Sequence, residues 1–211
     1  MKSLYNPPAL IKKAFKNYFW ETVNNKVLLT FDDGPIPDNT EAILKKLDEL
    51  NIKALFFTVG ENSQKYPSLT EQIISQKHTI GSHTFHHRKI PGLSSEALSD
   101  EIDKVNNLFT EKFNYQIRYF RPPHGRFDLR LNNYLKARSM KCVMWTLLTF
   151  DYKNDIELVK FAVEKYLTAG SIIVLHDSLK SKNIIMDSID FVYEQVSKKG
   201  FQFGDAEECL K

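Results

Sequence analysis

A chain of 211 residues, 42% hydrophobic and 26% charged, has the make-up of one soluble globular domain with a full core. Its 29 basic and 26 acidic residues leave a net charge of +3, too even a balance to point to a nucleic-acid partner. No stretch reaches the roughly 18 apolar residues of a membrane span, and no apolar signal-peptide core follows Met1-Lys2, so a cytoplasmic or membrane-peripheral location is expected.

In chain order, residues 10–20 are predicted to form an amphipathic helix. Leu10, Ile11, Ala14, Phe15, Tyr18 and Phe19 share one side, and Lys12, Lys13, Lys16 and Asn17 the other. Two uses fit this pattern: a cover packed on an open end of the domain, or a basic, aromatic helix lying on an anionic membrane surface. Val27 to Phe31 is an apolar run of the kind buried on both faces of a strand, and it ends in Asp32-Asp33 before the Gly34-Pro35 turn. Adjacent carboxylates repel; a metal on one and a cation on the other would relieve them, and a plain polar turn is the simpler alternative.

A helix from Asp38 or Asn39 to Asn51 follows, then a strand over 54–59 and a helix from Pro67 through Ile74. His78–Ser82 is a third strand, 94–113 a long helix capped by Ser94 or Ser95, and Tyr119-Phe120 a fourth strand. Asp128 is expected to cap a helix to Arg138. Lys141–Leu147 is a fifth strand, and Asp155 caps a helix ending before Gly170. Ser171–Leu175 is a sixth strand, Asn183–Lys199 a helix, and Phe201–Phe203 a short seventh strand. Such alternation predicts a parallel α/β fold. Because Asp32, Asp33, His83, Arg121, Asp151 and His176 fall at or just past the C-terminal ends of different strands, a barrel that converges them is favoured over an open sheet.

Three stretches carry further chemistry. His83 and His87 are four residues apart, so a helix beginning near Thr84 would put both imidazoles on one face and let them share a metal with Asp33. Thr84 stands where zincins need Glu, which excludes that class. His86 and His78 are read as structural or solvated. Arg121-Pro122-Pro123-His124-Gly125 is a rigid loop whose free donor, the His124 N–H, is able to face a developing oxyanion; a proline-rich turn with a solvated arginine is the plainer reading. His176 at the end of a buried strand is either a titrating group or a hydrogen-bonded core histidine. Cys142 and Cys209 have neither metal nor redox spacing.

Taken in order, TFDDGP at 30–35, HTFHH at 83–87, RPPHG at 121–125 and LHD at 175–177 resemble the motif series of the polysaccharide deacetylases, the NodB-homology group of carbohydrate esterases (family 4). The resemblance runs from about residue 26 to 203. It implies a single catalytic domain over 26–211 with a distorted (β/α)7-type barrel, on which the amphipathic helical segment 1–25 is expected, from its aromatic stripe, to pack. It further implies metal-dependent removal of an acyl group from an amino sugar of a glycan. Carried over by position, Asp33, His83 and His87 bind one divalent metal, foremost Zn2+, with Co2+ or Ni2+ as alternatives. Asp32 is the base and Arg121 keeps it ionised; His176 is the acid and Asp151 orients it. His124, Trp145, Tyr152 and Val174 contact substrate.

The sequence departs from the family pattern at three places. Leu148 replaces an aspartate that anchors the motif arginine, Tyr152 replaces a tryptophan, and His124 stands where tyrosine is common. Two rival functions remain: a deacylase or deformylase of a lipid-linked amino sugar, favoured by the basic N-terminal helix, and an inactive sugar-binding relative. The acetylated glycan is the expected partner of a chain expected to be monomeric.

Overall fold

Strands form here because short apolar runs alternate with amphipathic helices long enough to cross back over a sheet. The computed structural model describes residues 5–211. Among them lie β1 (Leu28–Asp32), β2 (Leu55–Thr58), β3 (Thr79–Ser82), β4 (Tyr119–Phe120), β5 (Lys141–Cys142), β6 (Leu147–Leu148) and β7 (Ile172–His176). All their pairings are parallel, in the order β5-β4-β3-β2-β1-β7-β6. The sheet curls into a distorted (β/α)7 barrel whose edge strands, β5 and β6, do not pair with each other.

The helices are α1 (Ala9–Ala14), α2 (Asn39–Glu49), α3 (Gly60–Lys65), α4 (Pro67–Ser75), α5 (Ser95–Phe113), α6 (Leu131–Lys136), α7 (Ile156–Tyr166), α8 (Ile185–Lys198) and α9 (Ala206–Cys209). Ser94 and Asp155 cap α5 and α7 by accepting from Ala97 N and Glu157 N, as their residue types predict. None of these helices is long and apolar enough to cross a membrane.

The two-residue period of β1 divides the core. Leu29 and Phe31 pack outward with Phe56 against helix residues such as Ile43, Leu47 and Val192. Leu28 joins Leu55, Phe57, Tyr119, Val143 and Ile172 in a second cluster, closed by Ala206, Cys209 and Leu210 from the C-terminus. Thr30 and Asp32 share the face of Leu28, so the polar site stands directly on this apolar interior.

Four expectations need correction. Asp128 does not cap α6, whose N-cap is Arg130 with no side-chain cap bond. The fifth strand does not run from 141 to 147; it breaks into β5 and β6 on opposite edges. Between them, the carbonyls of Val143 and Met144 accept from Arg121. Among the described residues Phe201–Phe203 makes a single bridge, Phe203 to Val27, so it is β6 that completes the seven-stranded sheet. The N-terminal helix stops at Ala14 and buries none of its residues; Leu10 is 81% exposed. It ends there because Phe19 must be extended to donate to Cys142 O and accept from Met144 N on the β5 edge.

At the other edge, Leu148 N donates to Tyr5 O, and Tyr5 packs on Phe150, Phe161 and Tyr166. The segment 5–20 therefore touches both unpaired edges and buries Tyr18 and Trp20. Removing residues 1–20 is expected to lower the melting temperature by about 10 °C, since losing a large buried aromatic costs about 3–5 kcal/mol. A truncated protein of unchanged stability that has lost an affinity for anionic vesicles shown by the intact chain would favour the membrane role instead.

Candidate active site

Everything at the open end is arranged around Arg121. β4 delivers it into the barrel with no exposed surface, which a guanidinium tolerates only when its donors are engaged. Nη1 donates to Thr30 Oγ1 and to Asp32 Oδ1, both at 2.7 Å; Nε donates to Val143 O at 3.0 Å, and Nη2 to Met144 O at 2.8 Å. Its guanidinium carbon lies 4.1 Å from the centre of the Phe57 ring. The anchor lost through Leu148 is thus made up by a threonine hydroxyl and two backbone carbonyls. Thr30 escaped the sequence reading, although its spacing of two from Asp32 placed it on the same face.

Past β1, Asp33 takes a left-handed backbone, φ 81°, and its carbonyl accepts from Asn62 Nδ2. Its Oδ1 stands 3.7 Å from His83 Nε2 and 3.2 Å from His87 Nε2. One ligand atom from each of these residues lies within 4.8 Å of the others. Contrary to expectation, the histidine pair lies not on a helix but in an irregular loop, with Thr84 and His87 at φ 65° and 56°. The loop brings the rings together where a helix would have, their centres 5.0 Å apart.

The donor chemistry fits a divalent cation. His83 Nδ1 faces Arg121 O at 2.8 Å; a carbonyl only accepts, so Nδ1 carries the proton and Nε2 keeps its lone pair toward Asp33. Burial pulls the His83 pKa down to about 4, so the imidazole is neutral, as a ligand must be. Burial opposes ionisation of Asp33, but the His87 hydrogen bond and the imidazoles of His176 and His83 outweigh it and hold the carboxyl well below the usual carboxylate range.

On the opposite wall, Asp151 is fully buried. Its Oδ1 lies 2.7 Å from His176 Nδ1 and accepts from Thr149 Oγ1; its Oδ2 accepts from His176 N at 2.7 Å. Burial alone favours neutral imidazole, yet the Asp151 charge and hydrogen bond raise the His176 pKa to about 9. Tyr152 sets its ring edge-on to His176 at 4.8 Å.

Asp32, Asp33, His83, His87, His124, Trp145, Tyr152, Val174 and His176 all line one cleft, with Arg121 and Asp151 behind it. Gly125 sits at φ 64° against Trp145, where a β-carbon would meet the indole. His124 adopts φ 57° and packs edge-on to His87 at 4.8 Å. Lys180 and Leu148 also line the cleft; the lysine carried no sequence signal, being one basic residue in a polar loop. His86 and His78 are structural, bonded to Glu101 and to Ala54 N.

A carboxylate beside a cation, a histidine held by an acid, and a ligand set between them form the kind of site that metal-assisted hydrolases use. The chain belongs to the polysaccharide deacetylase family, whose profile matches residues 21–143. It is 31% identical over 186 residues to a peptidoglycan-N-acetylglucosamine deacetylase of Bacillus cereus, covering 84% of this chain and 66% of that protein. Another peptidoglycan N-acetylglucosamine deacetylase superposes with a TM-score of 0.88 at 27% identity, covering 96% of both chains. A mutant of a Bacillus anthracis family pseudoenzyme, with restored enzymatic activity, superposes with a TM-score of 0.83 at 25% identity, over 92% of this chain and 70% of that one. By family, then, the chain is grouped with the carbohydrate deacetylases, hydrolases of carbon–nitrogen bonds.

Protein purified without chelator is expected to hold close to one divalent metal per chain by elemental analysis. Replacing His83 and His87 together with alanine should abolish that content. Unchanged metal in the double variant would refute the site.

Proposed function

We propose that this chain is a metal-dependent hydrolase that removes the N-acetyl group from an amino sugar within a glycan. One observation carries the reading: the ligand set, an arginine-clamped carboxylate and an aspartate-held histidine converge on one cleft. The glycan class rests on the peptidoglycan deacetylases to which the chain is similar.

Asp33, His83 and His87 hold the metal, with Zn2+ the best match to one carboxylate and two imidazoles. When bound, the ion supplies Lewis acidity toward the acyl carbonyl and a water. Asp32 has one oxygen fixed by Arg121, leaving Oδ2 to take the proton of the attacking water. The His124 N–H donates to the oxyanion as the carbonyl carbon becomes tetrahedral. His176 holds Nδ1 against Asp151, so Nε2 presents its proton to the leaving amine, which is otherwise too basic to depart. Trp145, Tyr152 and Val174 form the wall that receives the acyl group.

Two measurements test this division of roles. Asp32→Asn should remove most turnover, by roughly a hundredfold or more as for loss of a general base, while metal content stays at wild type. The pH profile of kcat should fall on its alkaline side near pH 9, where His176 loses its proton. Asp151→Asn removes the charge that raises this pKa, so the alkaline limb should move to lower pH. A limb that stays in place would mean that another group is the acid.

A further inference from the structure

The loop that carries His83 and His87 has no helix or strand of its own, yet it holds two side chains within ligand distance of Asp33. Thr84 and His87 sit in a left-handed conformation that bulky residues enter at a cost, so something outside the loop must hold it. On one side, Gly60 N donates to Thr84 O and Glu61 N to Phe85 O, both at the start of α3. On the other side stands Glu101. It projects from the otherwise apolar inner face of α5, among Leu98, Ile102 and Val105, with its carboxylate 1% exposed. Oε2 accepts from Phe85 N at 3.0 Å and His86 N at 2.9 Å, and Oε1 lies 2.9 Å from His86 Nδ1. Arg88 Nη1 stands 3.8 Å from the same oxygen.

We propose that Glu101 is a positioning residue for metal binding: its carboxylate gathers the amides between the two histidines and thereby aims His87 at Asp33. The proposal rests on reading Asp33, His83 and His87 as the metal site. His83 has a separate support, its Nδ1 bond to Arg121 O, and is buried; His87 is partly exposed and lacks such a bond among the described residues. Without Glu101, the part-buried amides of Phe85 and His86 lose their acceptor, and the loop satisfies them most cheaply by turning toward solvent. The loss therefore falls on His87.

The test uses the full chain, stripped of metal and titrated with Zn2+ against a chromophoric chelator, and with Co2+ followed by visible absorption. Glu101→Met, similar in volume but without an acceptor, should weaken Zn2+ binding by about tenfold to a hundredfold, the range for loss of an outer-shell support, and change the Co2+ spectrum. Glu101→Gln keeps one oxygen for both amides and should stay close to wild type. In a His87→Ala background, Glu101→Met should add little further weakening, because the ligand that it aims is already gone. Wild-type affinity and spectrum in Glu101→Met would overturn the proposal, as would an equal weakening with and without His87. Should Glu101→Met fail to fold, Glu101→Asp, which withdraws the carboxylate by one methylene, must show weakened binding, and wild-type binding there overturns the proposal equally. A wild-type chain that binds no metal, or a His83→Ala/His87→Ala variant that retains it, would instead refute the metal site itself.

Discussion

A buried ion pair, Arg121 with Asp32, is the constraint on which the open end of this barrel depends. Neither group meets water freely, and breaking such a pair by removing one partner typically costs about 3–5 kcal/mol, because the other charge is left buried. The fold meets the remaining donors of the guanidinium with carbonyls of Val143 and Met144, and those carbonyls are free because the chain between β5 and β6 is not a strand. The break in the sheet and the buried arginine are thus two sides of one arrangement. Arg121 also offers its own carbonyl to His83, so the same residue holds the Asp32 carboxylate on one side and the tautomer of His83 on the other.

Much of this was legible in the sequence, because strands and strand ends are written in local pattern. The apolar run 27–31 followed by two aspartates marked β1 and its mouth, although Thr30, on the same face as Asp32, went unread. The same logic placed His83, Arg121 and His176 at the ends of different strands, and the structure brings them to one cleft, Arg121 behind its wall. What escaped depends on partners distant in the chain. The spacing of His83 and His87 suggested a helix, but Glu101 and the start of α3 hold a left-handed loop instead, through bonds that span 15 residues and more. The apolar stretch 141–147 reads locally as one strand, and only the demands of Arg121 and the bond from Met144 N to Phe19 O divide it. The N-terminal segment has a helical stripe, yet pairing of Phe19 with the β5 edge ends the helix after Ala14.

The two walls of the cleft are electrostatically distinct. Around Asp33 burial keeps the His83 imidazole neutral, which suits a cation; around His176 a fully buried carboxylate keeps the imidazole charged. Both imidazoles are disfavoured as cations by burial; for His83 burial prevails, whereas for His176 the charge and hydrogen bond of Asp151 overcome it. Leu148 and Tyr152 both line the cleft, and neither displaces these contacts of His83 and His176.

The most direct test of the account is product analysis by mass spectrometry after the metal-loaded and metal-stripped chain is incubated with oligomers of N-acetylglucosamine and with peptidoglycan fragments. The account predicts free amino sugar and an equal amount of acetate from the loaded chain, and neither from the stripped one. Stoichiometric metal with no deacylated product from either substrate class, even though the glycan binds, would contradict it and identify the chain as an inactive binding relative.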